Sequence, residues 1–163
     1  MKKQHIYALL LVLCMIFNIS AVATAEGNDA GVSTSITQFR YVITDKDGNI
    51  KESGIIDSRY RYSWPALYLD NGDLAIFMPT DTDMGFYVIP DTVMTLKYTT
   101  SIYNAKTEYM FVKNKNNVYS VFKSGTSSAK ETSVTASSDE RAYYYAQVRN
   151  VSSDTIEISN ISF

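Results

Sequence analysis

The chain has a single cysteine and a single histidine, and both Cys14 and His5 lie in a segment that reads as an export signal. Lys2 and Lys3 open that segment, Ile6 to Phe17 is apolar, and Ala23-Thr24-Ala25 supplies the small-x-small pattern that signal peptidase accepts before Glu26. Residues 1–25 are therefore expected to be a signal helix that is removed, leaving a secreted protein, extracellular or associated with the cell envelope. Leu13 precedes Cys14 where a lipoprotein signal has a small residue, so clean cleavage is the expectation. The exported part then has neither thiol nor imidazole. That excludes disulfides, Ser-His and Cys-His nucleophilic systems and His-containing zinc sites.

Other absences narrow the field further. Of the Lys and Arg residues only 13 follow position 25, against 17 acids, for a net charge of about −4. With the basic residues few and scattered, no nucleic-acid partner is expected. After the signal no run approaches the ~18 apolar residues of a membrane helix, since the longest candidates, 74–78 and 86–89, are strand-length. Stable membrane insertion of the mature chain is not expected. The C-terminal Phe163 has a counterpart in outer-membrane barrels, but Glu157 and Ser159 occupy positions where such a strand needs apolar groups. No internal repeat is present, which sets propellers and solenoids aside.

What is abundant is tyrosine, with 13 residues, together with Val, Ile, Thr and Phe in short runs. Turn-forming Gly, Asn, Asp and Ser separate these runs every eight to twelve residues or so, and helical periodicity is nearly absent. Residues 26–34 are small and polar and are expected to be a flexible leader; residues 35–163 are expected to form one domain. Hairpins are predicted for 36–44 with 49–56 across Asp47-Gly48, and for 66–69 with 73–78 across Asn71-Gly72. A meander of 85–89, 92–100, 107–114 and 117–123 follows, the last two linked across Lys115-Asn116, then a weak strand near 131–136 and a final pair, 141–150 with 155–163. About ten strands, several with one apolar face, predict an all-β antiparallel β-sandwich, jelly-roll-like or immunoglobulin-like. The predicted inward sets are Leu74/Ile76/Met78, Met94/Leu96/Tyr98, Ala142/Tyr144/Ala146/Val148 and Ile156/Ile158.

The residues able to bind a ligand are mostly aromatic. Tyr60, Tyr62 and Trp64 alternate with Arg59, Arg61 and Ser63, so an extended backbone sets three rings on one face, where they either complete a core or stack on sugar rings. Tyr143 and Tyr145 share a strand face with Gln147 and Arg149 and are expected to be partly exposed. Asp45-x-Asp47-x-Asn49 resembles the start of a calcium loop, but Ile50 and Ile56 stand where glycine and an acid are required. Asp81 and Asp83 would need to converge with Asp70 and Asp73 to hold a cation. Glu108 alternates with Met110 and Val112 and is the carboxylate to watch for glycosidase chemistry, which needs a second one across a cleft. The two Ser-x-x-Lys matches, Ser120 to Lys123 and Ser127 to Lys130, lack the accompanying Ser-Asp-Asn and Lys-Thr-Gly elements. Asn150-Val151-Ser152 and Asn160-Ile161-Ser162 fit the glycosylation rule, which applies only on a eukaryotic route. The Met-Lys-Lys start and the Lys, Asn, Ile and Tyr usage fit a bacterial source.

The expected function is a non-catalytic extracellular binding protein without cofactor or metal. Its ligand would be a glycan held by Tyr60, Tyr62, Trp64, Tyr143, Tyr145 and Arg149. The alternative is a protein-interaction or assembly module, such as an inhibitor, effector or surface subunit, that pairs with a surface protein through a sheet edge. A small carboxylate hydrolase ranks below both.

Overall fold

The computed structural model describes Ile36, residues 38–57 and residues 66–163. The predicted signal, the leader and Tyr60, Tyr62 and Trp64 lie outside the described residues. Eleven strands follow in order: β1 (Gln38–Thr44), β2 (Ile50–Asp57), β3 (Leu67–Leu69), β4 (Leu74–Met78), β5 (Phe86–Val88), β6 (Val93–Thr100), β7 (Thr107–Lys115), β8 (Val118–Ser127), β9 (Glu131–Ser137), β10 (Ala142–Asn150) and β11 (Ile156–Ser162). They form two antiparallel sheets, as the sequence predicts for a sandwich. The larger has the order β2-β1-β4-β10-β7-β8, with β5 pairing β10, and the smaller has the order β3-β11-β6-β9.

Two connections are true hairpins. Between β1 and β2, Asp45 Oδ1 accepts the backbone N–H groups of Asp47 and Asn49, each at 2.9 Å, and Oδ2 takes the Asn49 side-chain amide. Both carboxylate oxygens are thus spent on the turn, which accounts for the Asp-x-Asp-x-Asn spacing without an ion. Between β7 and β8, Asn116 and Asn117 both have positive φ, 53° and 62°, the conformation of a two-residue turn matched to strand twist.

The other predicted pairings require correction. The 70–73 turn forms, with Asp73 N–H donating to the Asp70 carbonyl, but β3 then pairs β11 while β4 pairs β1 and β10. Likewise β10 and β11 lie in different sheets, and β6 leaves the sheet that holds β5 and β7. The chain changes sheet at most connections. A turn residue specifies a reversal, and a reversal can cross the sandwich as readily as it can stay in plane.

Between the sheets, Phe39, Tyr41, Ile43, Ala75, Phe77, Phe111, Ala146 and Val148 meet Leu67, Leu69, Leu96, Tyr98, Ile156, Ile158 and Ile161 in one cluster. Phe163 closes it against Phe39, Phe77 and Phe86, with ring centroids 4.8–5.6 Å apart. The β6, β10 and β11 sets face inward as predicted, with Met94 only partly buried. For β4 the prediction is wrong by one residue: Ala75 and Phe77 face the other sheet, and Leu74, Ile76 and Met78 take the opposite face. All five β4 residues are buried, so the apolar pattern carries no period to read.

Buried Asn150 knots the connections together. Its Nδ2 donates to the carbonyls of Leu69 at 2.9 Å and Asp154 at 2.7 Å, and its Oδ1 accepts from Ser152 N–H at 2.8 Å. A side chain so enclosed is no surface acceptor for a sugar. The Asn150-Val151-Ser152 motif is explained by this turn.

Three buried phenols make the fold sensitive to alkali. Burial, then the hydrogen bond to Glu52 at 2.5 Å, pushes Tyr41 up to about 12. Burial also raises Tyr98, and burial followed by the hydrogen bond to Asp139 raises Tyr144. A folded-state value above the unfolded value means that the neutral phenol favours the fold. That contribution is complete below the ordinary tyrosine value near 10 and is lost as pH rises through the folded value. The expected result is an unfolding temperature that falls steadily between about pH 10 and 12, accompanied in spectrophotometric titration by a late-ionising class of tyrosines that Tyr41→Phe diminishes.

Candidate functional site

The larger sheet has a second face, turned away from the smaller sheet. Register places Val42, Ile76, Gln147 and Met110 in one row across β1, β4, β10 and β7, and all four are buried. The next row runs through Arg40, Met78, Tyr145 and Val112. A further row carries Tyr87, Tyr143, Asn114 and Tyr119 from β5, β10, β7 and β8.

This last row gathers aromatic rings. Tyr87 and Tyr143 are directly opposed, with centroids 5.3 Å apart and planes at 60°, and Tyr119 approaches Tyr145 at 6.1 Å and 37°. Tyr87 is 59% exposed, while Tyr143 and Tyr119 are half-buried. Asn114 lies between the last two and is itself buried. Its Nδ2 donates to the Met84 carbonyl at 3.4 Å, and its Oδ1 has no hydrogen-bond partner among the described residues. An orphan acceptor in a buried amide costs stability, and such groups concentrate where a structure serves something other than its own stability.

The loop 79–85 positions the end of this row. Asp83 pairs with Arg40 through its carboxylate, and its carbonyl accepts from the Tyr145 hydroxyl. Gly85 then turns with φ of 98° directly over the Tyr144 backbone, so that β5 can pair β10 and set Tyr87 opposite Tyr143. Phe86 points the other way and packs on Phe163.

The predicted site residues fare differently. Tyr143 and Tyr145 share one face, as expected, but Tyr145 is only 4% exposed, because the 79–85 loop caps its hydroxyl. Gln147 is buried as well. Arg149 is on the same face but six residues from Tyr143, about 20 Å along the strand, and it is paired with Glu108 at 3.2 Å. Glu108 is on this outer face, half-buried beside that guanidinium. Asp70 and Asp73 bind Lys51 at one end of β4, and Asp83 binds Arg40 at the other, so the two acidic loops do not converge. Among the described residues no three His, Cys, Asp or Glu side chains gather as a metal site.

Sequence reasoning missed Tyr87 and Tyr119. For the second the turn was expected at Lys115-Asn116; it forms one residue later, at Asn116-Asn117, and that shift sets Tyr119 opposite Asn114. Nothing local predicts that β5 pairs β10, so Tyr87 could not be placed.

The face of β7 opposite the row is electrostatically balanced. Lys113 contacts Asp139 at 3.2 Å and Glu140 at 2.7 Å, and Lys115 also pairs with Glu140. The two lysines hold the Glu140 carboxyl below its ordinary range. Exposed Arg141, two residues before Tyr143, forms no ion pair among the described residues.

No family model matches this sequence, and no curated protein matches it. Among solved structures, the crystal structure of the Yersinia pseudotuberculosis-derived mitogen is similar over 61% of this chain and 81% of its own, with 11% identity and a TM-score of 0.41.

Proposed function

We propose that this protein is a secreted, non-catalytic β-sandwich module that binds an extracellular glycan on the outer face of its larger sheet, at a cell surface or in the surrounding matrix. The observation that carries the reading is the exposed Tyr87 beside Tyr143, with half-buried Tyr119 continuing the row. Aromatic faces accept the C–H side of a pyranose, and polar groups around them select hydroxyls. All four residues of the row lie in register on paired strands, so the rings are set before a ligand arrives.

A binding screen of the mature chain against cell-wall and plant polysaccharides tests this. Tyr87→Ala and Tyr143→Ala are each expected to weaken binding about tenfold or more, the equivalent of roughly 1.4 kcal/mol, with unfolding temperature nearly unchanged for the exposed Tyr87. Trp64→Ala in the same screen reports whether the 59–64 aromatic stripe joins the site. No binding above background to any glycan would remove the reading.

The open edge of β8 favours a second reading, that of a protein-assembly module. This ten-residue strand ends the larger sheet, and Val118 and Val121 are 68% and 44% exposed. Strand addition there would rest on backbone hydrogen bonds and would be indifferent to Tyr87→Ala. Light scattering on the purified chain and capture from its native secretion medium separate the two: a strict monomer that retains no protein speaks against assembly.

A further inference from the structure

Resting on the glycan reading, we propose that the ligand is an uncharged glycan and that Arg141 is the donor that fixes it over Tyr87 and Tyr143. Binding of an acidic polysaccharide requires several cations free to meet its carboxylates. On the face that carries the row Arg40 is held by Asp83, and Lys113 and Lys115 lie on the opposite face of β7, held by Asp139 and Glu140. At the start of β10 Asp139 and Glu140 balance Lys113 and Lys115, which leaves Arg141 as the one cation in excess, and residues 26–163 as a whole are acidic. A polyanion would be repelled at long range and would find one guanidinium at short range.

Arg141 is that guanidinium. It stands immediately before β10 and the Ala142–Val88 pair, two positions from Tyr143. It is exposed and forms no ion pair among the described residues. Its planar fork of five N–H donors suits the vicinal hydroxyls of a sugar lying on the neighbouring rings. Stacking on Tyr87 and Tyr143 then supplies most of the affinity, and Arg141 supplies orientation.

The test is a matched panel: neutral β-glucan and xylan oligosaccharides against polygalacturonate oligomers, titrated into the mature chain at about 50 and 500 mM NaCl, conditions under which exposed charge interactions differ strongly in screening. The expected result is binding to a neutral oligosaccharide that changes less than about twofold with salt and falls about fivefold or more in Arg141→Ala, with Arg141→Lys recovering part of the loss. Preference for polygalacturonate with a steep salt dependence overturns the uncharged ligand while leaving the glycan site intact. Neutral binding indifferent to Arg141→Ala overturns the role of the arginine. Absence of binding to either class instead counts against the glycan reading itself.

Discussion

Gly85→Ala is expected to lower the stability of the fold by about 2–4 kcal/mol, although it adds a single methyl group in a loop. Two independent costs combine. The residue has φ of 98°, where an L side chain is strained. A Cβ there would also come within 2.8 Å of the Tyr144 carbonyl oxygen and 3.1 Å of its carbonyl carbon. Those are backbone atoms of a central strand and cannot swing aside. Relief requires β5 to move away from β10, which would also carry Tyr87 away from Tyr143. Urea unfolding measures the first effect and glycan titration the second. A midpoint within error of the parent would show that the loop is free to rearrange, and that Gly85 does not set the row.

Phe77→Ala is expected to cost more, about 3–5 kcal/mol, by opening a cavity at the centre of the sandwich. Phe77 is fully buried, touches Phe39 edge-on at 6.0 Å and Phe163 at 5.6 Å, and sits on β4 between β1 and β10. Backbone pairing on both sides prevents the strand from collapsing into the void. Phe77→Leu keeps most of the volume and should lose less than half as much. Chemical denaturation of the two variants beside the parent checks the ratio; near-equal midpoints would mean that the cluster is looser than its geometry implies.

The sequence carries the class of fold through composition and turn chemistry. Asp47-Gly48 marks a hairpin that forms where it is expected, the turn expected at Lys115-Asn116 forms one residue later at Asn116-Asn117, and the alternation of Leu96 and Tyr98 or of Ile156 and Ile158 identifies faces correctly. What it does not carry is partner choice. Asn71-Gly72 and the 151–154 turn look like the other turns, but they hand the chain to the opposite sheet, and Asn150 ties both to each other through contacts far apart in sequence. β4 misleads for a different reason, because a strand apolar on both faces offers no period from which to choose a side.

The site divides the same way. Tyr143 and Tyr145 were legible as sharing a face, since Tyr144 lies with Ala142, Ala146 and Val148. The burial of Tyr145 was not, since it depends on Asp83 reaching across from the 79–85 loop. Arg149 reads as an exposed cation until β7 brings Glu108 opposite it. Tyr87 becomes part of a row only when β5 pairs β10, a contact separated by more than fifty residues.

Backbone amide chemical shifts of residues 26–163, recorded during titration with a neutral oligosaccharide, locate the ligand on the protein. Saturable shifts confined to Tyr87, Asn114, Tyr119, Arg141 and Tyr143 and their immediate neighbours are expected. Shifts centred elsewhere, or none at millimolar ligand, would contradict the proposed site.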